Sequence, residues 1–302
     1  MEVTVNSTYG QLRRRRLWRF AKAASYGVVV GAIKGGCADR LILYPTTNPI
    51  AADGIARLVA TSGGPSIEIW TFKSRGMLAG RPPIAHVLSF VGNASRAERT
   101  GPRFAQDWGT RPVEIWAVNY PGYGGSPGPA RVSSLAPTAL VAYDALRAVA
   151  GDRPIFLDAQ SIGTTAALYL AAHRPVAGCV LHNPPPLRQL ILGRFGWWNL
   201  WLAAWPVARS VPEELDSIAN AKLVTAPALF MTADADEVVP PRYQRRVIDA
   251  YAGPKRIVHL PGGRHNDRAT GDAAVEAQAG LDWLWQSAVP SDSVLRNLKT
   301  QV

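Results

Sequence analysis

The sequence predicts an α/β fold: a mostly parallel eight-stranded sheet with helices on both faces and a short helical insertion. Three observations predict it. From Ile84 onward, short apolar runs alternate with helical stretches, the rhythm that βαβ units leave in a sequence. The apolar runs are nearly continuous, as strands covered on both faces must be. One of them, Ile155 to Ala159, stops abruptly just before Ser161, and a helical stretch follows at once.

The chain opens on a hairpin. Arg57–Thr61 and Ser66–Lys73 flank Gly63-Gly64-Pro65, and the second run alternates Ile67, Ile69 and Thr71 against Glu68 and Trp70. Before it, Leu41 to Pro45 reads as a lead-in segment. Six further strands are predicted at Ile84–Val91, Val113–Asn119, Ile155–Ala159, Gly178–His182, Ala228–Thr232 and Arg256–Leu260. Helices are predicted at Ala97–Asp107, Ser133–Val149, Ile162–Ala172, Pro240–Ala252 and Asp272–Ser287. In such a fold the functional groups collect on loops beyond the strand C-termini. The organisation is a basic leader (residues 1–40), one domain (41–290) and a short tail (291–302). The domain carries an insertion at about 184–222.

Length and composition bound the function. At 302 residues the chain can bury one large core, and 47% apolar with 18% charged residues is globular. The two cysteines, Cys37 and Cys179, form neither a metal-site spacing nor a disulfide framework. The formal charge is +11, of which +6 lies in the first 40 residues, with eight basic and two acidic side chains. The body is therefore only mildly basic, and no nucleic-acid motif accompanies it, which argues against a nucleic-acid partner. The leader fits attraction to an anionic membrane surface, a peripheral contact. Its apolar run, Ala23 to Ile33, has signal-peptide length and is too short to span a bilayer. Cys37 follows two glycines as a lipidated cysteine would, but Lys34 stands where an aliphatic residue is wanted. A basic amphipathic helix, an uncleaved anchor and an export signal all remain open. Membrane-associated or exported localisation is expected, with cytoplasmic as the alternative.

Ser161 is the candidate nucleophile. A serine on a strand–turn–helix is held out from the backbone, and crowding at the turn demands small residues two positions either side, here Ala159 and Gly163. A hydroxyl needs an adjacent base, and the base an orienting acid. His265 lies in the Gly-rich loop after the last strand. By contrast, His86, His182 and His259 lie within strands and His173 ends a helix. The acid comes from Asp234, Asp236 and Glu237, just beyond another strand; Asp236, opening an Asp-Glu-Val-Val-Pro run, is preferred, with Asp234 as fallback. The tetrahedral intermediate needs two N–H donors. Ile162, next to the nucleophile at a helix start, supplies one; Asn93 supplies the other, with Gly92 before it allowing close backbone approach. In the insertion, Trp197, Trp201 and Trp205 share one helical face, with Trp198 beside them. That face either packs on the domain core or forms a lid over an acyl pocket. Asp158 and Asp144 read as structural.

These residues resemble the α/β-hydrolase superfamily, and within it the membrane-anchored serine hydrolases related to protein depalmitoylases and lipid esterases. The resemblance runs from about Leu41 to Ser287. Val91-Gly92-Asn93-Ala94-Ser95 is similar to the family's H-G-N-A-G segment. Asn119-Tyr120-Pro121-Gly122-Tyr123-Gly124-Gly125-Ser126-Pro127-Gly128 is similar to D-Y-R-G-Y-G-x-S-x-G, with Asn119 for Asp and Pro121 for Arg. Ala159-Gln160-Ser161-Ile162-Gly163 is similar to G-x-S-x-G. The order Ser161, Asp236, His265 is also the family's. The resemblance implies a serine hydrolase with these three residues as triad, Asn93 and Ile162 as oxyanion donors, no metal and no cofactor. It implies a carboxylic ester or thioester of a small molecule or acyl chain as substrate, reached through an acyl-enzyme. A peptidase or amidase on the same triad and a non-catalytic scaffold are the alternatives. The oligomeric state is left open.

Overall fold

A computed structural model describes residues 38–61, 64–196 and 204–289. The expected basic leader, Cys37, the tail, and Trp197, Trp198 and Trp201 lie outside the described residues.

Eight strands form one sheet in the order β1-β2-β4-β3-β5-β6-β7-β8. They are β1 (Ile55–Thr61), β2 (Gly64–Lys73), β3 (Ala85–Phe90), β4 (Val113–Val118), β5 (Ile155–Gln160), β6 (Gly178–His182), β7 (Ala228–Ala233) and β8 (Lys255–Leu260). β1 pairs with β2, and β2 with β4, antiparallel; every other pairing is parallel. The opening hairpin and the switch to parallel strands match the sequence reading. The inner strands β3, β5 and β7 are buried at every position, which explains their continuous apolar runs.

The helices are α1 (Ala38–Ile42), α2 (Ala97–Asp107), α3 (Leu135–Ala150), α4 (Gly163–His173), α5 (Leu187–Phe195), α6 (Ala204–Ser210), α7 (Ser217–Ala221), α8 (Pro241–Ala250) and α9 (Gly271–Ala288). α2 and α9 cover one face of the sheet, and α3, α4 and α8 cover the other. Arg111, just beyond α2, ties the first two together through Gln278 and Asp282. The lead-in segment is not simply extended: it contains the short α1. The insertion holds α5, α6 and α7. Among the described residues no helix is long and apolar enough to cross a membrane.

Candidate active site

The loops after β3, β5, β7 and β8 meet at one end of the sheet. Ser161 directly follows β5 and holds φ 53°, a left-handed conformation that costs a non-glycine residue energy. The turn persists because its surroundings fix it. Ser161 N–H donates to the His182 carbonyl at 2.8 Å, and Thr164 N–H donates to the Ser161 carbonyl at 2.9 Å. Gly163 is obligatory, since a Cβ there would sit 2.4 Å from the Phe90 carbonyl oxygen. Ala159, on the other side, is fully buried and fits with its methyl.

The structure brings Ser161, His265 and Asp236 into one hydrogen-bonded chain. His265 Nε2 lies 2.9 Å from Ser161 Oγ, and His265 Nδ1 lies 2.6 Å from Asp236 Oδ2. The Asp236 side chain is wholly buried. Its Oδ1 accepts from the N–H groups of Val238 and Val239, both at 2.8 Å, and its Oδ2 also accepts from Gln244 Nε2 at 3.1 Å. Four donors saturate the carboxylate and hold it in place facing the imidazole. That arrangement makes Nδ1–H the donor and leaves Nε2 to accept from the serine hydroxyl. Asp234, the fallback acid, faces His259 instead, at 3.3 Å and near the surface. Glu237 gives its carbonyl to the Arg194 guanidinium.

Asn93 and Ile162 both line a cavity of about 290 Å³ that opens on Ser161. Their backbone N–H groups have no hydrogen-bond partner among the described residues. Ile162 directly precedes α4, so its N–H stands at the N-terminal end of that helix. The reason offered for Gly92 does not hold: a Cβ there would meet Ser161 Cβ and the Gln160 carbonyl only at an ordinary 3.6 Å. The loop is instead shaped by the Asn93 side chain. Its Oδ1 accepts from Tyr44 N–H, Ala94 N–H and the Tyr123 hydroxyl at 2.9–3.0 Å, and its Nδ2 donates to the Ile42 carbonyl at 2.6 Å. Burial pushes the Tyr123 hydroxyl up to about 12, so it remains a donor at any ordinary pH. Behind the loop, the Asn119 amide donates to Glu68 and Glu98 at 2.6 and 2.8 Å. An aspartate at that position would put a third carboxylate beside these two.

The cavity wall is mostly aliphatic. Leu187, Leu190 and Ile191 of α5 face it, with Leu41 and Ile42 from α1 and Val238 and Val239 from the acid loop. The sequence left the tryptophans of the insertion either packed on the core or forming a lid over such a pocket. Of these only Trp205 is among the described residues, and it does not line the cavity: it is 45% exposed, with the Arg209 guanidinium 4.9 Å over its ring. The signal that could have found the wall is the i, i+3, i+4 spacing of Leu187, Leu190 and Ile191 directly after Pro184-Pro185-Pro186. Gln244 and Asn183, which brace the acid and the base loop, also escaped notice.

Together the sheet order, the strained serine turn and the helices on both faces define the α/β-hydrolase fold, and comparison with known proteins agrees. The chain aligns with an esterase of Pyrococcus furiosus (TM-score 0.58, 12% identity), covering 82% of this chain and 97% of that one. It also aligns with a puromycin-hydrolyzing peptidase of Mycobacterium tuberculosis (TM-score 0.62, 19% identity), covering 79% of this chain and 40% of that one. In sequence it is 29% identical over 259 residues to the uncharacterized protein Rv2307c of Mycobacterium tuberculosis, covering 83% of this chain and 88% of that protein. No protein-family profile matches the chain.

Proposed function

We propose that this protein is a serine hydrolase that cleaves a carboxylic ester or thioester through an acyl-enzyme. The observation that carries the reading is the chain from Asp236 through His265 to Ser161, opening on a mostly aliphatic cavity. His265 Nε2 takes the Ser161 proton as Oγ attacks the acyl carbon. The oxyanion so formed is held by the N–H groups of Asn93 and Ile162, and loss of one such donor costs about 3 kcal/mol of barrier. The imidazolium returns its proton to the departing alcohol or thiol. Water, activated by the same base, then attacks the acyl-enzyme and releases the acid. Asp236 holds the imidazole tautomer and stabilises its cation without itself becoming protonated. The aliphatic wall from α5 and α1 receives the acyl chain, which gives esters of apolar acids the advantage.

The likeness to a peptidase as well as an esterase makes the amide the reading to exclude. Purified protein assayed with matched p-nitrophenyl acyl esters and aminoacyl p-nitroanilides decides between them. Turnover of the esters, rising with acyl length until the cavity is filled, is the expected result. Turnover of the anilides with the esters left intact would overturn the ester assignment and leave the triad standing.

A further inference from the structure

We infer that Asn183 is a positioning residue for the catalytic base, an assignment that rests on the triad reading above. Asn183 directly follows β6, is 5% exposed, and holds φ 49°, the left-handed region that asparagine tolerates better than other side chains. Its side chain uses both ends. Nδ2 donates to the His265 carbonyl at 2.9 Å, and Oδ1 accepts from Ala233 N–H at 2.9 Å. Ala233 is the last residue of β7, and its carbonyl accepts from Asp236 N–H at 3.3 Å. One amide therefore spans the loop that carries the base and the strand end from which the acid loop departs.

The residue before it completes the arrangement. The His182 carbonyl accepts from Ser161 N–H, so the dipeptide His182-Asn183 holds the backbone of nucleophile and base and the strand end next to the acid. Other contacts also tie the base loop to the fold. Ala235 N–H donates to the Gly263 carbonyl, Gln160 Nε2 donates to Asn266 Oδ1 at 3.2 Å, and the Arg268 guanidinium donates to Gln106 and Asp107. None of these holds the peptide of His265 itself. The chemistry of the site calls for an amide: aspartate could accept from Ala233 but not donate to the His265 carbonyl, and an aliphatic residue could do neither. Displacing a reacting group by about 1 Å can cost about 100-fold in rate, which is why such a tie affects catalysis and not only folding.

Asn183→Gly is the informative variant. Glycine adopts the left-handed conformation without strain, so the change removes the two side-chain bonds without straining the backbone. Per folded molecule, kcat on the best ester is expected to fall about 10- to 100-fold with KM nearly unchanged, and the acidic limb of the pH–rate profile to move. A second readout needs no substrate. The Nδ1–H proton of His265, identified in the NMR spectrum by its loss in His265→Gln, is expected to exchange faster with solvent in Asn183→Gly. A folded Asn183→Gly protein with wild-type kcat, pH profile and proton exchange would overturn the assignment. If wild type turns over no ester or amide, the hydrolase reading fails, and the exchange rate alone decides whether Asn183 holds His265.

Discussion

Two aspartate–histidine pairs are built on buried carboxylates, and among the described residues one of the two faces a hydroxyl. Asp236–His265 closes at 2.6 Å, with the carboxylate saturated by four donors and the far ring nitrogen on Ser161. Asp158–His182 closes at 3.2 Å, with Trp108 Nε1 on the other carboxylate oxygen at 3.0 Å. It lies on the floor of a cavity of about 230 Å³ between α2 and α9, and among the described residues no serine, threonine or cysteine lines that cavity. The same two side chains are thus a potential relay in one setting and a packed polar contact in the other. What separates them is placement. His265 rides on a loop beyond its strand and reaches the serine turn, whereas His182 is held within β6 and lines the cavity between α2 and α9.

The comparison breaks most sharply by neutralising each acid. Asp236→Asn takes away the carboxylate that fixes the His265 tautomer, and the expected loss in kcat on an ester substrate is about 10⁴-fold. Asp158→Asn leaves kcat near wild type, because nothing in its cavity reacts. Its cost falls on stability instead: weakening a buried, charge-assisted contact removes about 2 kcal/mol, read by urea unfolding. Equal losses of activity in the two variants would erase the distinction.

A third buried histidine sharpens it with a smaller effect. His86 on β3 makes no hydrogen bond at either ring nitrogen, and its nearest carboxylate oxygen, on Glu114, is 3.8 Å away. Burial lowers its pKa to about 4, only partly offset by Glu114. The unfolded chain binds a proton there below about 6.5, while the native protein refuses it until about 4. Stability from this group is therefore complete above pH 6.5 and is lost progressively as pH falls toward 4. Between pH 7 and pH 5.5 the loss is about 1 kcal/mol, and it disappears in His86→Gln when unfolding curves at the two pH values are compared.

Much of this was legible in the sequence because strand–turn–helix punctuation is local. The Ile155–Ala159 run, the abrupt serine and the small residues around it belong to one stretch of chain, and the bounds of α2 and β6 coincide with those the apolar pattern predicts. Ser161, Asp236 and His265 could be singled out because each falls just past a strand. The braces could not, because they act across the fold. Asn183 reaches His265 over 82 residues, and the Asn93 side chain reaches Ile42 over 51. The aliphatic cavity wall was not legible in the sequence for a related reason. Tryptophan is conspicuous in a sequence, whereas Leu187, Leu190 and Ile191 look like ordinary core until the fold shows that they face the serine.

The most direct test of the central claim is labelling by a fluorophosphonate probe, which reacts only with an activated serine. Wild type is expected to label at Ser161, with labelling abolished in Ser161→Ala and in His265→Ala and retained in Asp158→Asn. Absence of labelling in folded wild type, or labelling that survives in Ser161→Ala, would contradict the account and return the chain to a hydrolase fold put to another use.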